Sequence, residues 1–110
     1  MPALATVTLN PAVDKNTSID RVIADDKLRC APPSREPGGG GINVSRAVHR
    51  LGGAAQALYP SGGPTGTTLE NLLSQESLSH RPVSIRDWTR ENLIVSETST
   101  GRQFRFGMPG

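Results

Sequence analysis

The run Leu4-Ala5-Thr6-Val7-Thr8-Leu9 is apolar and β-branched and is closed by Asn10-Pro11, which predicts a buried strand. Lys15 to Ile23 is polar with spaced apolar residues and predicts a short exposed strand. Lys27 to Arg35 reads the same way, and Pro32-Pro33 suggest a place at a sheet edge. From Gly41 the period changes. Val44, Ala47, Val48 and Leu51 recur at helical spacing, and Arg46, His49 and Arg50 take the other face. This predicts a helix with the apolar stripe inward, stopped by Gly52-Gly53.

Ala54 to Tyr59 predicts a second strand, ended by Pro60. Thr67 and Glu70 have capping-box spacing, and Leu69, Leu72 and Leu73 form one stripe. A helix is expected there, fading near Leu78. Val83 to Ile85 carries a weak strand signal. Leu93–Glu97 and Arg102–Phe106 bracket a turn at Ser99-Thr100-Gly101, a hairpin with Phe104 and Phe106 on one face. The element order predicts an α/β layer carrying a smaller β-sheet. So few parallel strands with only two helices would leave a face and an edge uncovered.

The 110 residues amount to one domain at most. With 12 glycines and 9 prolines that domain should be rich in loops. A net charge of +2, with one Trp, one Tyr and two Phe, argues against a nucleic-acid partner. The lone Cys30 rules out an internal disulfide, fits a reducing compartment and is expected to be a small buried hydrophobe. The first residues lack a basic segment and a long apolar run, so no signal peptide is expected. No stretch reaches membrane-spanning length, and a cytoplasmic location is expected.

The segment with most chemical content is Glu36-Pro37-Gly38-Gly39-Gly40-Gly41-Ile42-Asn43. Its glycines allow a backbone to approach a ligand closely, and Asn43 can donate and accept hydrogen bonds. A helix N-terminus beside them adds open N–H groups and a positive dipole end. A P-loop would need Lys-Ser/Thr where Ile42-Asn43 stand, and a dinucleotide fingerprint would need a glycine where Asn43 stands. Taken alone, the run also fits a flexible turn, Asn43 a helix cap, and Asp14 a turn aspartate after Pro11. Lys27, Arg29 and Arg90 fit solvated surface cations. His49 and His80 read as surface residues, and no metal-ligand spacing is present.

Further elements stand beside this run in order: Thr8-Leu9-Asn10-Pro11-Ala12-Val13-Asp14, Lys27-Leu28-Arg29-Cys30, Arg46-Ala47 with Leu51-Gly52-Gly53, Gly62-Gly63-Pro64-Thr65-Gly66, Asp87-Trp88-Thr89-Arg90-Glu91-Asn92-Leu93 and Arg105-Phe106-Gly107-Met108-Pro109-Gly110. Together they resemble the amino-terminal third of the PfkB (ribokinase-like) carbohydrate kinases, within them the minor-isozyme branch of bacterial 6-phosphofructokinases. The resemblance implies an incomplete doubly wound α/β sheet with a small β-sheet lid, its strands near 15–35 and 92–107. Residues 1–110 would be the amino-terminal part of a single kinase domain, without the nucleotide-binding part.

The same resemblance implies the site. Asp14 would accept hydrogen bonds from sugar hydroxyls, Gly39, Gly40 and Asn43 would line the sugar, and Arg90 would clamp its phosphate. Lys27 and Arg29 would lie in the lid, where the branch forms a homodimer and a cation can reach a ligand across the interface. The reaction implied is transfer of phosphate from MgATP to the 1-hydroxyl of fructose 6-phosphate.

Phosphoryl transfer also needs a base. The family's base sits in a Gly-x-Gly-Asp motif, which is absent here. These 110 residues alone are therefore expected to have no kinase activity. The competing expectations are a non-catalytic dimerisation module, a sugar-phosphate sensor, and a fragment of a fructose 1-phosphate or tagatose 6-phosphate kinase.

Overall fold

A computed structural model describes residues 4–110. Nine elements follow one another: β1 (Leu4–Val7), β2 (Ala12–Ile19), β3 (Ser34–Gly38), α1 (Gly40–Arg50), β4 (Ala55–Ser61), α2 (Gly63–Gln75), β5 (Ser79–Ser84), β6 (Arg90–Glu97) and β7 (Gln103–Phe106). They form two sheets. The first is parallel, in the order β1-β4-β5; the second is mixed, in the order β3-β2-β6-β7. The fold is mixed α/β, as the residue pattern predicts.

The helices pack on one face of the first sheet, α1 on β1 and β4, and α2 on β4 and β5. Strand β4 shows why. Ala55, Ala57, Tyr59 and Ser61 are buried, while Gln56 is exposed and Leu58 and Pro60 are half-buried. Alternate residues of a strand face opposite ways, so only one face of this sheet is covered. The core there is Val13, Ile42, Ala57, Tyr59, Leu69, Leu73 and Leu78, with Leu72 at its margin. On the other face Val7, Leu9, Leu58, Pro60 and Val83 line an open apolar hollow.

Helix α1 ends at Gly52-Gly53 as expected, but it buries a different face. Ile42 and Ser45 are buried, whereas Val44 is 53% and Leu51 88% exposed. Of the predicted stripe, Val44, Ala47 and Leu51 are exposed and Val48 is half-buried. Ser45 is held inward by a hydroxyl–hydroxyl bond to Thr6 on β1. Helix α2 begins at Gly63, a turn earlier than Thr67 and Glu70 suggest. Glu70 does not cap the helix; it accepts a hydrogen bond from the Ser61 hydroxyl at 2.6 Å. Gly62 precedes the helix, and Pro64 supplies the fixed φ favoured in a first turn.

Residues 27–33 form no strand; the edge strand is β3, at Ser34–Gly38. It includes Pro37, whose missing N–H an edge tolerates. Cys30 is exposed rather than buried, because it sits in this long loop. His80 is not a plain surface residue. Its ring stacks on Tyr59 and bonds the Tyr59 hydroxyl at 2.8 Å and the Ser74 hydroxyl at 2.9 Å. Burial, with Glu70 nearby, pushes the Tyr59 phenol well above its ordinary value. Among the described residues no helix is long and apolar enough to cross a membrane.

Candidate functional site

Asp14 is carried by β2 in the middle of the second sheet. Strand β3 runs antiparallel on one side, pairing Ala12 with Gly38, and β6 runs parallel on the other, pairing Asp14 with Asn92. The glycine run thereby comes to the Asp14 carboxylate. A Cβ at Gly38 would lie 2.7 Å from Asp14 Oδ2, so only glycine leaves that oxygen its place. Gly39 has φ of 124°, a conformation that side chains resist, and a Cβ there would strike Thr8.

Gly39 is the N-cap of α1. Having no side chain, it leaves the third helical amide to Thr8, whose hydroxyl accepts from Ile42 N at 2.9 Å. The Asn43 amide bonds Gly39 O at 2.9 Å, which places Asn43 inside the first turn. Asn43 is therefore not the cap, and its side chain is exposed. A Cβ at Gly40 would meet nothing within 4 Å, so this side of the glycine run is open.

Beside Asp14 lies a cavity of about 150 Å³, lined by Asp14, Asn92, Leu93, Ile94, Arg105, Phe106 and Gly107. Asn92 donates to Asp14 Oδ1 at 3.2 Å, and its carbonyl oxygen accepts from Met108 N at 2.9 Å. Arg90 stands two residues earlier, on the same face of β6. It donates to Met108 O and to Asn10 O, each at 3.1 Å. A guanidinium has five N–H donors, so three remain, and Arg90 Nε is buried without a partner.

The strand start that carries Arg90 is fixed from below. Thr89 N donates to Gly62 O at 2.9 Å, and Gly62 N donates to the Thr89 hydroxyl at 3.2 Å. Gly63, with φ of 65°, lies under the Trp88 indole, where a Cβ would approach a ring atom to 2.4 Å. The second glycine run thus serves to seat the 85–89 loop.

Of the expected site residues, Asp14 lines this cavity, whereas Arg90 does not and instead lines a separate hollow with Asn10, Pro11, Asp87 and Trp88. Gly39, Gly40 and Asn43 follow Gly38 around the glycine turn. Lys27 and Arg29 lie on the exposed 20–33 loop and are not part of the cavity lining. That loop is anchored where Ala31 N donates to Ser18 O at 2.8 Å and Val22 N donates to Glu97 Oε2 at 2.8 Å. Glu97 is 2% exposed. It also accepts from the Thr100 hydroxyl and pairs with Arg102 at 3.5 Å. Hydrogen bonds from Thr100 and then Val22 hold its carboxyl below the ordinary value.

Gly38, Asn92 and Arg105 lie in the stretches singled out in the sequence, but none of the three was expected as a site residue. Asn92 follows Arg90 at the same-face spacing of a strand, which was the available signal. The glycine run lacks the Lys-Ser/Thr of a phosphate loop, and among the described residues no group of three metal-ligating side chains stands together.

The sequence model for pfkB family carbohydrate kinases matches residues 6–109. The chain is 48% identical over 109 residues to the ATP-dependent 6-phosphofructokinase isozyme 2 of Mycobacterium tuberculosis, covering 99% of this chain and 32% of that protein. Phosphofructokinase-2 of Escherichia coli in complex with fructose 6-phosphate superposes with a TM-score of 0.95 at 47% identity, over all of this chain and 36% of that one. The tetrameric inhibited form of the same enzyme gives a TM-score of 0.94 at 47% identity, again over all of this chain and 36% of that one. The chain spans about a third of the length of the relatives it matches.

Proposed function

Because the chain belongs to the pfkB family of carbohydrate kinases, we propose that residues 1–110 supply the sugar-phosphate site and lid of an ATP-dependent 6-phosphofructokinase. The observation that carries this is the pairing of Asp14 with Asn92 at the rim of a sugar-sized cavity, with Gly38 packed against the carboxylate. An ionised carboxylate is acceptor-only, which suits the hydroxyls of a sugar. The glycine turn lets backbone groups reach the same ligand, and Asn43 adds an amide. Arg90 offers the phosphate terminal N–H donors that Met108 and Asn10 leave free, helped by the positive end of α1. The nucleotide and the base are contributed from outside these residues, and the enzyme works in the cytoplasm.

The second sheet is the lid. The apolar patch that its Leu93 and Val95 form with Ala31 and Pro33 of the 20–33 loop, beside Lys15 and Thr17, suits a homodimer contact. Lys27 and Arg29, on the exposed 20–33 loop, would be the cations that reach a ligand held by the second copy. A second reading is a binding module without turnover, for which the sugar contacts offered by Asp14 and its Asn92 partner would suffice without a base.

The test is calorimetric titration of the native polypeptide with fructose 6-phosphate, fructose 1-phosphate and tagatose 6-phosphate, followed by a MgATP-dependent transfer assay on each. Saturable binding of fructose 6-phosphate that Asp14→Ala weakens by about tenfold or more supports the reading. Binding without transfer selects the module. Preference for another ketose phosphate reassigns the substrate, and no binding of any sugar phosphate refutes both.

A further inference from the structure

Asn92 uses both ends of its amide, and the two ends do different work. The Nδ2 group fixes Asp14 Oδ1 at 3.2 Å. The carbonyl oxygen holds Met108 N at 2.9 Å. Arg90 grips the other side of the same residue through Met108 O at 3.1 Å. One residue of the 107–110 segment is therefore clasped at its N–H and its C=O by two alternate side chains of β6.

The Asp14 carboxylate lies between both neighbouring strands: the Asn92 amide bonds Oδ1, and Oδ2 occupies the space that a Cβ at Gly38 would take. A hydrogen bond to one carboxylate oxygen restrains rotation of the group and so sets where the lone pairs of both oxygens point. We infer that Asn92 is a positioning residue: it orients the Asp14 carboxylate toward the cavity and, through Met108, holds the 107–110 segment against the cavity mouth.

The inference rests on the sugar-phosphate reading of Asp14. It explains the residue type at position 92. Aspartate could still accept from Met108 N but has no donor for Asp14 and sets like charges side by side. Alanine provides neither group.

The experiment uses the native polypeptide that carries these residues, with two variants, Asn92→Asp and Asn92→Ala. Fructose 6-phosphate is titrated by calorimetry without nucleotide, and exchange of the Met108 amide hydrogen is followed separately. Asn92→Asp is expected to keep Met108 protected as in the parent, yet to weaken fructose 6-phosphate by about tenfold or more. Asn92→Ala is expected to weaken binding as well and to speed Met108 exchange by about tenfold.

A role confined to holding the 107–110 segment predicts that Asn92→Asp binds within about twofold of the parent. That result overturns the inference. Should Asn92→Asp fail to fold by circular dichroism, Asn92→Ala decides, and parental affinity in it overturns the inference. A parent that binds no fructose 6-phosphate removes the site reading and this inference with it. A parent that binds, with unaffected variants, removes only the inference.

Discussion

Glu97 is almost wholly buried, and its carboxylate joins three pieces of chain: Val22 from the 20–33 loop, Thr100 from the β6–β7 turn and Arg102 just beyond it. These partners favour the charged form and hold its carboxyl below the ordinary value of 4.5. A carboxyl depressed on folding contributes stability above its unfolded value and loses it as pH falls through the folded one. Glu97→Gln is therefore expected to be less stable than the parent at neutral pH. The gap between the two should narrow as pH drops below about 4.5. Urea midpoints taken from neutral pH to about pH 3 check this, and a gap that stays constant with pH would contradict the assignment.

Legibility at this scale differed from residue to residue. The glycine run was legible as a place of close backbone approach, because that has a distinctive composition, whereas Asp14 alone reads as a turn aspartate and entered only through the family resemblance. Asn92 was not legible, because its role depends on lying opposite Asp14 on a strand 78 positions away in the sequence. Register of that kind has no local signature.

At the scale of elements, α1 shows what a local pattern can and cannot decide. Its end is written in Gly52-Gly53, and Gly52 adopts the positive φ of 84° that such a stop uses. Its start is shared with the residue that follows β1, since Thr8 rather than a helical residue accepts from Ile42 N. Thr8→Ala is expected to cost about 1 kcal/mol, in the range of a lost helix cap. Chemical denaturation measures this directly. A loss below about 0.3 kcal/mol would mean that another acceptor satisfies the Ile42 amide.

The inward face of α1 was misread because the helix has two low-polarity sides. Val44, Ala47, Val48 and Leu51 form the longer stripe, while burial selects Ile42 and Ser45. Serine scores as polar, yet here it is buried because Thr6 offers it a partner. The edge strand moved from 27–35 to Ser34–Gly38 for a related reason. Pairing of Gly38 with Ala12 is a tertiary contact, and it outweighs the polar-apolar spacing of the loop before it.

For the whole molecule the dominant fact is a parallel sheet with helices on one face only. Doubly wound sheets cover both faces, and these relatives are about three times as long as this chain. Val7 is 62%, Leu9 84% and Val83 60% exposed on the bare side. A contiguous apolar hollow of this kind associates unless something covers it. The 110 residues expressed alone are therefore expected to bind a hydrophobic dye and to aggregate. Val83→Lys should lower both signals without lowering the unfolding midpoint. Equal aggregation in the variant would place the sticky surface elsewhere.

The pairing of β2 with β6 also sets a timetable. On a ribosome adding about 5–20 residues per second, β2 waits roughly 4–16 seconds for its parallel neighbour to be made. During that interval only β3 is available to it, and the Asp14 side chain stands on an incomplete ribbon with one flank open to any other nascent strand. Synthesis speed across residues 20–90, a property of the messenger rather than of the folded protein, becomes part of what decides how much of this site is ever assembled.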